Sequence, residues 1–202
     1  MTVTISDPSI GSLLPETAIP AKLDFGCGQA KQPGYIGMDI FPGDGVDVVH
    51  DFDKFLYPFA DDSFDEIRCD NSLEHVANFI ATVTELHRIL KPGGLLKVLV
   101  PHYSGPNAYG DPTHKTFFAY TTFDRFIGAG SYRTPQSGMF RYRRRMFGMP
   151  DGRGSWFKAL PKLLFNRFPH FYEHRLCWIL PAQAIYYELD AVKPPAPGAA
   201  QR

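Results

Sequence analysis

The stretch LDFGCGQAKQPGYIGMDI, from Leu23 to Ile40, decides how the first half of the chain folds. A short apolar strand runs into a Gly-Cys-Gly turn, and a second apolar run ends on Asp39, an order typical of nucleotide-type binding sites. Only Gln29 to Gly34 lie between the turn and the second strand. A crossover between parallel neighbouring strands usually takes a dozen or more residues and includes a helix. The stretch therefore predicts either strands that are not parallel neighbours or a tight loop that makes the crossover alone.

Seven segments have the composition of β-strands, because they are short, apolar and rich in β-branched or aromatic residues. They are Lys22–Cys27, Tyr35–Ile40, Val46–His50, Phe64–Cys69, Leu95–Val100, Met139–Phe147 and Ala184–Val192. We expect the last two to pair antiparallel at one edge of the sheet.

The period of the apolar residues changes after the fourth of these strands. From Ser72 to Leu90 they recur every three or four positions, which predicts one face of a helix. Asn71 or Ser72 can cap its start, and Glu74 suits its first turn. The sequence Lys91-Pro92-Gly93-Gly94 is a typical helix end.

Strands that alternate with short connections and a helix predict an α/β fold: a Rossmann-like, mostly parallel sheet of about seven strands with an antiparallel C-terminal edge hairpin and helices on both faces. A short helix is predicted at Thr122–Ala129, and two more in Ser155–Leu180, which Pro161 and Pro169 interrupt. If the first crossover lacks its helix, one sheet face is left for the N-terminal segment or for Ser155–Leu180 to cover.

Composition excludes several classes of protein. The 202 residues are 44% hydrophobic and carry zero formal net charge, which disfavours disorder and a general nucleic-acid binder. No apolar run reaches the ~18 residues of a membrane span, and the N-terminus does not have the pattern of a signal peptide. The three widely spaced cysteines indicate a reducing compartment. These features predict a cytoplasmic protein.

Proline-rich ends predict the domain boundaries. Residues 1–20 are expected to be an N-terminal extension, 21–193 a single domain and 194–202 a disordered tail.

Five segments in order resemble the class I S-adenosylmethionine-dependent methyltransferases: LDFGCG, GMDI, PFADDSFDEI, NSLEHV and LHRILKPGG. They span about Leu23 to Pro101, half of the chain. The commoner family pattern has a helix after the glycine turn, which QAKQPG cannot form. The resemblance implies S-adenosyl-L-methionine as cofactor and S-adenosyl-L-homocysteine as product.

The resemblance also implies roles for the residues that match the family's motifs. The Gly26-Cys27-Gly28 turn approaches the cofactor closely, and the Asp39 carboxylate accepts both ribose hydroxyls. The other implied contacts are Asp24 with the ammonium group through water, Asp51 with the adenine amino group, Ile40 and Phe52 with the adenine ring, and Asn71 with the methionine end.

Candidate acceptor residues follow the fifth strand, at the sheet edge where open α/β sheets bind ligands. The loop PHYSGPNAYGDPTHKTFF contains His102 directly off the strand, and Asp111 with His114 in a DPTH segment. Either histidine can act as a general base, and Asp111 can orient an imidazole. The alternative is structural, with Asp111-Pro112 starting a turn and His114 pinning the loop. His75 is interpreted as structural.

Two basic segments are further candidates for binding an acceptor or a partner, and the sequence can also be searched for metal-binding motifs. Arg141, Arg143, Arg144 and Arg145 are either solvated residues of an edge strand or a strip that binds an anionic acceptor. The aromatic and basic stretch 155–180 is interpreted as core cover or a dimer face, a lid on an apolar acceptor, or a membrane-surface helix. No HxH, HExxH or CxxC spacing predicts a metal site.

The resemblance implies a methyltransferase (EC 2.1.1.-) that methylates O or N of a small-molecule or sugar acceptor. A homodimer is compatible with this interpretation, and no nucleic-acid partner is expected. One alternative is a fold that binds S-adenosylmethionine for aminopropyl transfer or as a non-catalytic subunit. Another is a nicotinamide-binding domain, which would need GxGxxG at a helix N-terminus, where this chain has GCGQAK.

Overall fold

The apolar segments assemble into one seven-stranded sheet in a computed structural model that describes residues 21–129, 133–149, 163 and 165–193. The strands are β1 (Lys22–Phe25), β2 (Ile36–Asp39), β3 (Val48–Val49), β4 (Phe64–Asp70), β5 (Leu90–Pro101), β6 (Phe140–Phe147) and β7 (Ala184–Ala191). Their order is β3-β2-β1-β4-β5-β7-β6. All pairs from β3 to β5 are parallel, and β7 is antiparallel to both β5 and β6. The predicted fold class and the antiparallel edge hairpin are confirmed.

The first crossover is a tight loop. Strands β1 and β2 are parallel neighbours, with Leu23 opposite Ile36, and the ten connecting residues 26–35 contain no helix. Of the two arrangements that the sequence predicted, the tight loop is therefore correct.

Three carboxylates hold this loop in place. Asp24 Oδ2 accepts a hydrogen bond from Gln32 N at 2.7 Å, and Asp39 Oδ2 accepts one from Gly28 N at 2.8 Å. Asp47 Oδ2 accepts from Lys31 Nζ at 2.7 Å and from Gly37 N at 2.7 Å. Loop amides that a helix would have paired internally are therefore satisfied by side chains.

The helix after β4 begins later than the sequence predicted. Helix α1 spans Phe79–Ile89, and the Asn78 side chain caps it by accepting from Ala81 N at 3.1 Å. The expected first half, residues 72–78, forms turns, so neither Asn71 nor Ser72 is the cap. The apolar spacing predicted too long a helix, because Leu73 is fully buried although it lies in a turn and not in a helix. The chain then passes from Ile89 directly into β5.

The remaining helices with bounds in the described residues are short: α2 (Asn107–Gly110), α3 (Asp124–Ile127) and α4 (Pro169–Arg175). Helix α4 begins at Pro169, and proline is favoured at the first position of a helix because an N–H there would have no partner within the helix. No described helix is long and apolar enough to cross a bilayer. The cytoplasmic location and the three roles weighed for 155–180 stay predictions, and residues 151–162 and 164 lie outside the described residues.

The main core lies on one face of the sheet. Burial alternates along β5, and the buried apolar residues of the strands join α1, α3 and α4 in a single cluster through Leu86, Phe126 and Tyr172. The alternate residues form a charged face, where Lys97 Nζ lies 2.8 Å from Glu66 Oε1 and Arg68 Nη1 lies 3.4 Å from Asp24 Oδ2. Residues 1–20 and 151–162, which include candidates for covering a face, and the predicted tail 194–202 lie outside the described residues.

Gly37 tests how closely the first crossover packs against the sheet. A Cβ at this position would overlap the Gly45 carbonyl oxygen and lie 2.8 Å from Cys27 Sγ. We expect Gly37→Ala to lower the free energy of unfolding by about 1–3 kcal/mol in a urea titration, because backbone has to shift. Gly110→Ala is the control, since nothing lies within 4 Å of its Cβ. Equal stability of the two variants would contradict a close-packed crossover.

Candidate active site at the carboxyl edge of the sheet

The residues that the sequence singled out gather where the parallel strands end. The turn Gly26–Gly28 follows β1, Asp39 ends β2, Asp51 follows β3 and Asn71 follows β4. Because β1 to β5 are parallel, these ends lie along one edge of the sheet, the usual ligand site of open α/β folds.

The two glycines of the turn serve different purposes. Gly26 has φ +73°, and a Cβ there would overlap the Ser72 side chain, so this glycine lets the chain after β4 pass closely. Gly28 has φ +53°, and nothing lies within 4 Å of its Cβ position. Open space therefore lies at Gly28, whereas at Gly26 it is filled by Ser72, and the close approach of both glycines to a cofactor stays a prediction.

Asp39 combines a structural and a binding capacity. Its Oδ2 accepts from Gly28 N at 2.8 Å and its Oδ1 from Phe41 N at 3.1 Å. A carboxylate has about four acceptor positions, so a vicinal diol can still be accepted alongside these two bonds. The side chain of the next residue, Ile40, is exposed beside it.

Asp24, in the strand before the turn, and Cys27, in the turn itself, are both buried. Asp24 is buried, and its Oδ2 accepts from Gln32 N and approaches Arg68, so this oxygen already serves the protein. Burial, with help from Asp39 and Asp24, raises the pKa of the Cys27 thiol to about 11. A neutral thiol of this kind packs as a small apolar group.

The remaining candidate contacts flank the turn. Asp51 is half-buried and accepts from Asp53 N at 3.1 Å, while Phe52 packs on the core ring of Phe25 with centroids 4.2 Å apart. Asn71 is exposed and has a left-handed backbone, φ +51°, which turns the chain sharply out of β4. These positions leave Asn71 and one side of the turn open to a ligand.

His102 is fully buried directly after β5. Its Nδ1 lies 2.8 Å from Ser104 Oγ and its Nε2 lies 3.1 Å from Glu173 Oε1. The Glu173 carboxylate also accepts from Tyr120 N, and the pKa of Glu173 is lowered: burial raises it, but His102 and Tyr120 outweigh that effect. With no exposed surface, this imidazole positions the loop and has no path to an acceptor in this conformation.

The DPTH segment folds back onto the segment after β4. The Glu74 carbonyl accepts from Lys115 N at 2.7 Å, and the rings of His75 and His114 meet edge to face with centroids 4.7 Å apart. The structure thus brings Glu74, His75 and His114 together, and we call them the histidine–carboxylate cluster. Within it, one candidate ligand atom from each residue lies within 4.8 Å of the other two.

Comparisons with known proteins agree with this geometry. Residues 23–98 match a family model described as a methyltransferase domain. Over these residues, fewer than half of the 202, the chain is similar to methyltransferase domains. Class I methyltransferases use S-adenosylmethionine, and the open Gly28 turn and the acceptor capacity of Asp39 fit that cofactor's ribose.

Individual relatives match less of the chain. Demethylmenaquinone methyltransferase of Bacillus velezensis is 30% identical over 88 residues, 44% of this chain and 33% of that protein. The chain spans about a third or less of the length of the curated relatives it matches.

Solved structures support the fold. The Bacillus subtilis YcgJ protein has a TM-score of 0.55 at 16% identity, covering 92% of this chain and 97% of that one. Geranyl diphosphate C-methyltransferase of Streptomyces coelicolor, in a complex that includes S-adenosyl-L-homocysteine, has a TM-score of 0.55 at 14% identity, covering 86% and 70%.

Glu74 is a buried acidic residue at this edge that the sequence reasoning did not single out as a candidate. It is 1% exposed, and burial raises the pKa of its carboxyl to about 7. Its position between the apolar residues Leu73 and Val76 indicates burial. The helix prediction instead interpreted Glu74 as an acidic residue in the first turn of a helix. Only the late start of α1 turns the side chain inward.

The arginines of β6 are held by carboxylates of the protein. Arg141 and Arg143 pair with Asp190, at 3.5 and 2.6 Å, and Asp190 is opposite Leu95 in the middle of β5. Arg145 lies nearer the carboxyl edge, over the ring of Tyr120, and pairs with Asp124 at 2.9 Å. These pairings, on the last strand of the sheet, support the edge-strand interpretation.

The raised pKa of Glu74 predicts a pH-dependent stability. In the unfolded chain the carboxyl titrates near 4.5, so between about pH 4.5 and 7 the unfolded state ionises first and the folded state loses relative stability, by roughly 3 kcal/mol at most. We expect Glu74→Gln to escape this loss. In metal-free buffer its stability relative to wild type should rise from pH 4.5 to pH 8 in urea titrations. A difference that stays constant over this range would mean that Glu74 titrates normally.

Proposed function

We propose that this protein transfers a methyl group from S-adenosyl-L-methionine to an oxygen or nitrogen of a small-molecule or sugar acceptor. The observation that carries the proposal is the shared edge: an open glycine turn beside the Asp39 carboxylate, and the histidine–carboxylate cluster after the neighbouring strands. Binding residues and proton-accepting residues thus lie along one side of the sheet.

The cofactor, when bound, supplies an electrophilic methyl group on a sulfonium. The proposed contacts on the chain are Asp39 with the ribose hydroxyls, above the open Gly28. Asp51, Ile40 and Phe52 would hold the adenine, and Asn71 the methionine end. Asp24 and Cys27 would support the site indirectly, Asp24 by accepting a hydrogen bond from Gln32 N of the loop.

The acceptor is proposed to bind over the loop that follows β5. Methyl transfer is an in-line displacement, in which the protein holds the acceptor atom close to the methyl carbon and takes up its proton. His114 is half-buried rather than enclosed, so it is the better base candidate than His102. Asp111 supports the site indirectly, since its Oδ1 accepts from Thr113 Oγ1 at 2.6 Å, and Thr113 contacts His75.

The cofactor site is tested at Asp39. We expect Asp39→Ala to weaken S-adenosylmethionine binding by about 1–3 kcal/mol, roughly 5- to 150-fold in Kd, because charge-assisted hydrogen bonds to the ribose are lost. Isothermal titration calorimetry with S-adenosylmethionine, S-adenosylhomocysteine and NAD measures this directly. Binding of NAD alone by the wild type would refute the proposed function.

Asp47→Asn is the matched control for this experiment. Asp47 holds the same loop through Gly37 and Lys31 but is not proposed to touch the cofactor. If both variants lose the same affinity, Asp39 acts by positioning the loop and not by binding the ribose.

The proton-accepting role is tested at His114. We expect His114→Asn to lower the rate of S-adenosylhomocysteine formation about 10²- to 10⁴-fold, the usual contribution of a general base, with cofactor affinity unchanged. The assay uses a panel of hydroxylated and amino-bearing small molecules and sugars. His174→Asn, on the exposed side of α4, serves as control. Wild-type turnover in His114→Asn would leave positioning of the acceptor as the source of catalysis.

A further inference from the structure

The Glu74 carboxylate is an unpaired buried acceptor. It is 1% exposed, and neither oxygen has a hydrogen-bond partner among the residues that the structure describes. Buried carboxylates in proteins are normally paired with a cation or with several donors, because their desolvation is costly. A cationic partner for Glu74 is therefore the missing element of this site.

The two imidazoles beside Glu74 have their tautomers set by their neighbours. His114 Nδ1 lies 3.0 Å from the Ala108 carbonyl oxygen, which can only accept, so Nδ1 carries the proton. His75 Nδ1 lies 2.9 Å from Thr113 Oγ1. That hydroxyl already donates its proton to Asp111 at 2.6 Å, so His75 Nδ1 is also the donor.

Each imidazole is left with a lone pair on Nε2. No hydrogen bond to either Nε2 is formed within the described part of the chain, and the two rings meet at 4.7 Å between centroids. A histidine that donates Nδ1–H to a carbonyl or to a hydroxyl–carboxylate pair is the usual arrangement around a bound metal. Glu74 and the two imidazoles therefore bring three potential metal-binding groups together.

We propose that Glu74, His75 and His114 form a site for one divalent transition-metal ion at the carboxyl edge of the sheet. One ligand atom from each residue lies within 4.8 Å of the other two. Ligands bound at ~2.1 Å from a common ion lie roughly 3–4 Å apart, so closing the site takes movements of about 1–2 Å, within the reach of side-chain rotation.

The donor set selects the class of ion. Two imidazoles with one carboxylate suit Zn²⁺, Fe²⁺ or Co²⁺, whereas Mg²⁺ and Ca²⁺ prefer oxygen ligands alone. Three protein ligands leave coordination positions free, which is the pattern of catalytic rather than structural sites. Asp111 and Thr113 form the outer shell that orients His75.

This inference rests on the proposed function for what the ion does there. The ligands begin two residues after Ser72, which packs against Gly26 of the cofactor turn, so an acceptor oxygen on the ion would lie beside the cofactor. Coordination makes an acceptor hydroxyl more acidic, and its proton passes to solvent. The oxygen lone pair then forms the bond to the methyl carbon while the carbon–sulfur electrons return to sulfur. With the ion bound, the His114 Nε2 lone pair is used as a ligand, so the loss of turnover expected for His114→Asn then reports loss of the ion rather than loss of a general base.

The test measures metal binding directly on the full chain without an affinity tag, after removal of metals by chelation. Zn²⁺ is titrated by calorimetry, and Co²⁺ by its visible absorption, which reports the coordination geometry. We expect one equivalent bound by the wild type, loss of this binding in Glu74→Gln and in His114→Asn, and binding about 10- to 100-fold weaker in Thr113→Val, which removes only the outer-shell contact. His174→Asn should bind like the wild type.

Two results would overturn the metal site: no stoichiometric binding of Zn²⁺ or Co²⁺ by the wild type, or unchanged binding in both Glu74→Gln and His114→Asn. Circular dichroism of each variant checks folding, and Thr113→Val keeps the question answerable if Glu74→Gln does not fold. S-adenosylmethionine binding is measured separately in metal-free buffer. Cofactor binding without metal binding refutes this inference alone, and metal binding without cofactor binding refutes the proposed function alone.

Discussion

The rest of the site depends on three carboxylates that hold a ten-residue loop where a helix is usual. Asp24, Asp39 and Asp47 accept the amides of Gln32, Gly28 and Gly37, and Asp47 also pairs with Lys31. Without these acceptors, the loop N–H groups at the sheet edge would be hydrogen-bonded only by water, and the loop would not keep a single conformation. With them, β1 and β2 remain parallel neighbours across a short connection, and the open Gly28 stays above Asp39.

The same constraint shapes both ends of the site. Asp39 uses one lone pair of each oxygen on the protein and keeps the others for a ligand, so loop geometry and binding capacity are coupled in one side chain. At β4, the Gly26 turn packs against Ser72, and the chain continues through turns to Glu74 before α1 begins at Phe79. The tight approach at Gly26 thus fixes the path of the chain where it leaves β4, two residues before Glu74.

Particular residues show how far sequence reasoning reached. The strands and their edge hairpin were predictable because apolar, β-branched runs bounded by glycine and proline have few other uses. The start of α1 was not predictable, because Leu73 and Val76 lie in turns but have the sequence spacing of buried helix residues. In addition, the Ala77 and Asn78 amides donate to the carboxylate of Asp53, which belongs to a loop distant in sequence. Glu173, the partner of His102, gave no local signal, since the two residues are 71 positions apart.

By itself, the sequence determined the fold class, narrowed the first crossover to two arrangements, and located the glycine turn and the loop that carries His102, Asp111 and His114. These follow from local composition and from motifs in order, which act over a few residues. The tertiary structure alone decided that His102 is enclosed and that Glu74, His75 and His114 share one space. The physical reason is that burial and the proximity of these side chains are properties of groups distant in sequence, created when the loop after β5 folds onto the segment after β4 and the Glu74 carbonyl accepts a hydrogen bond from the Lys115 amide.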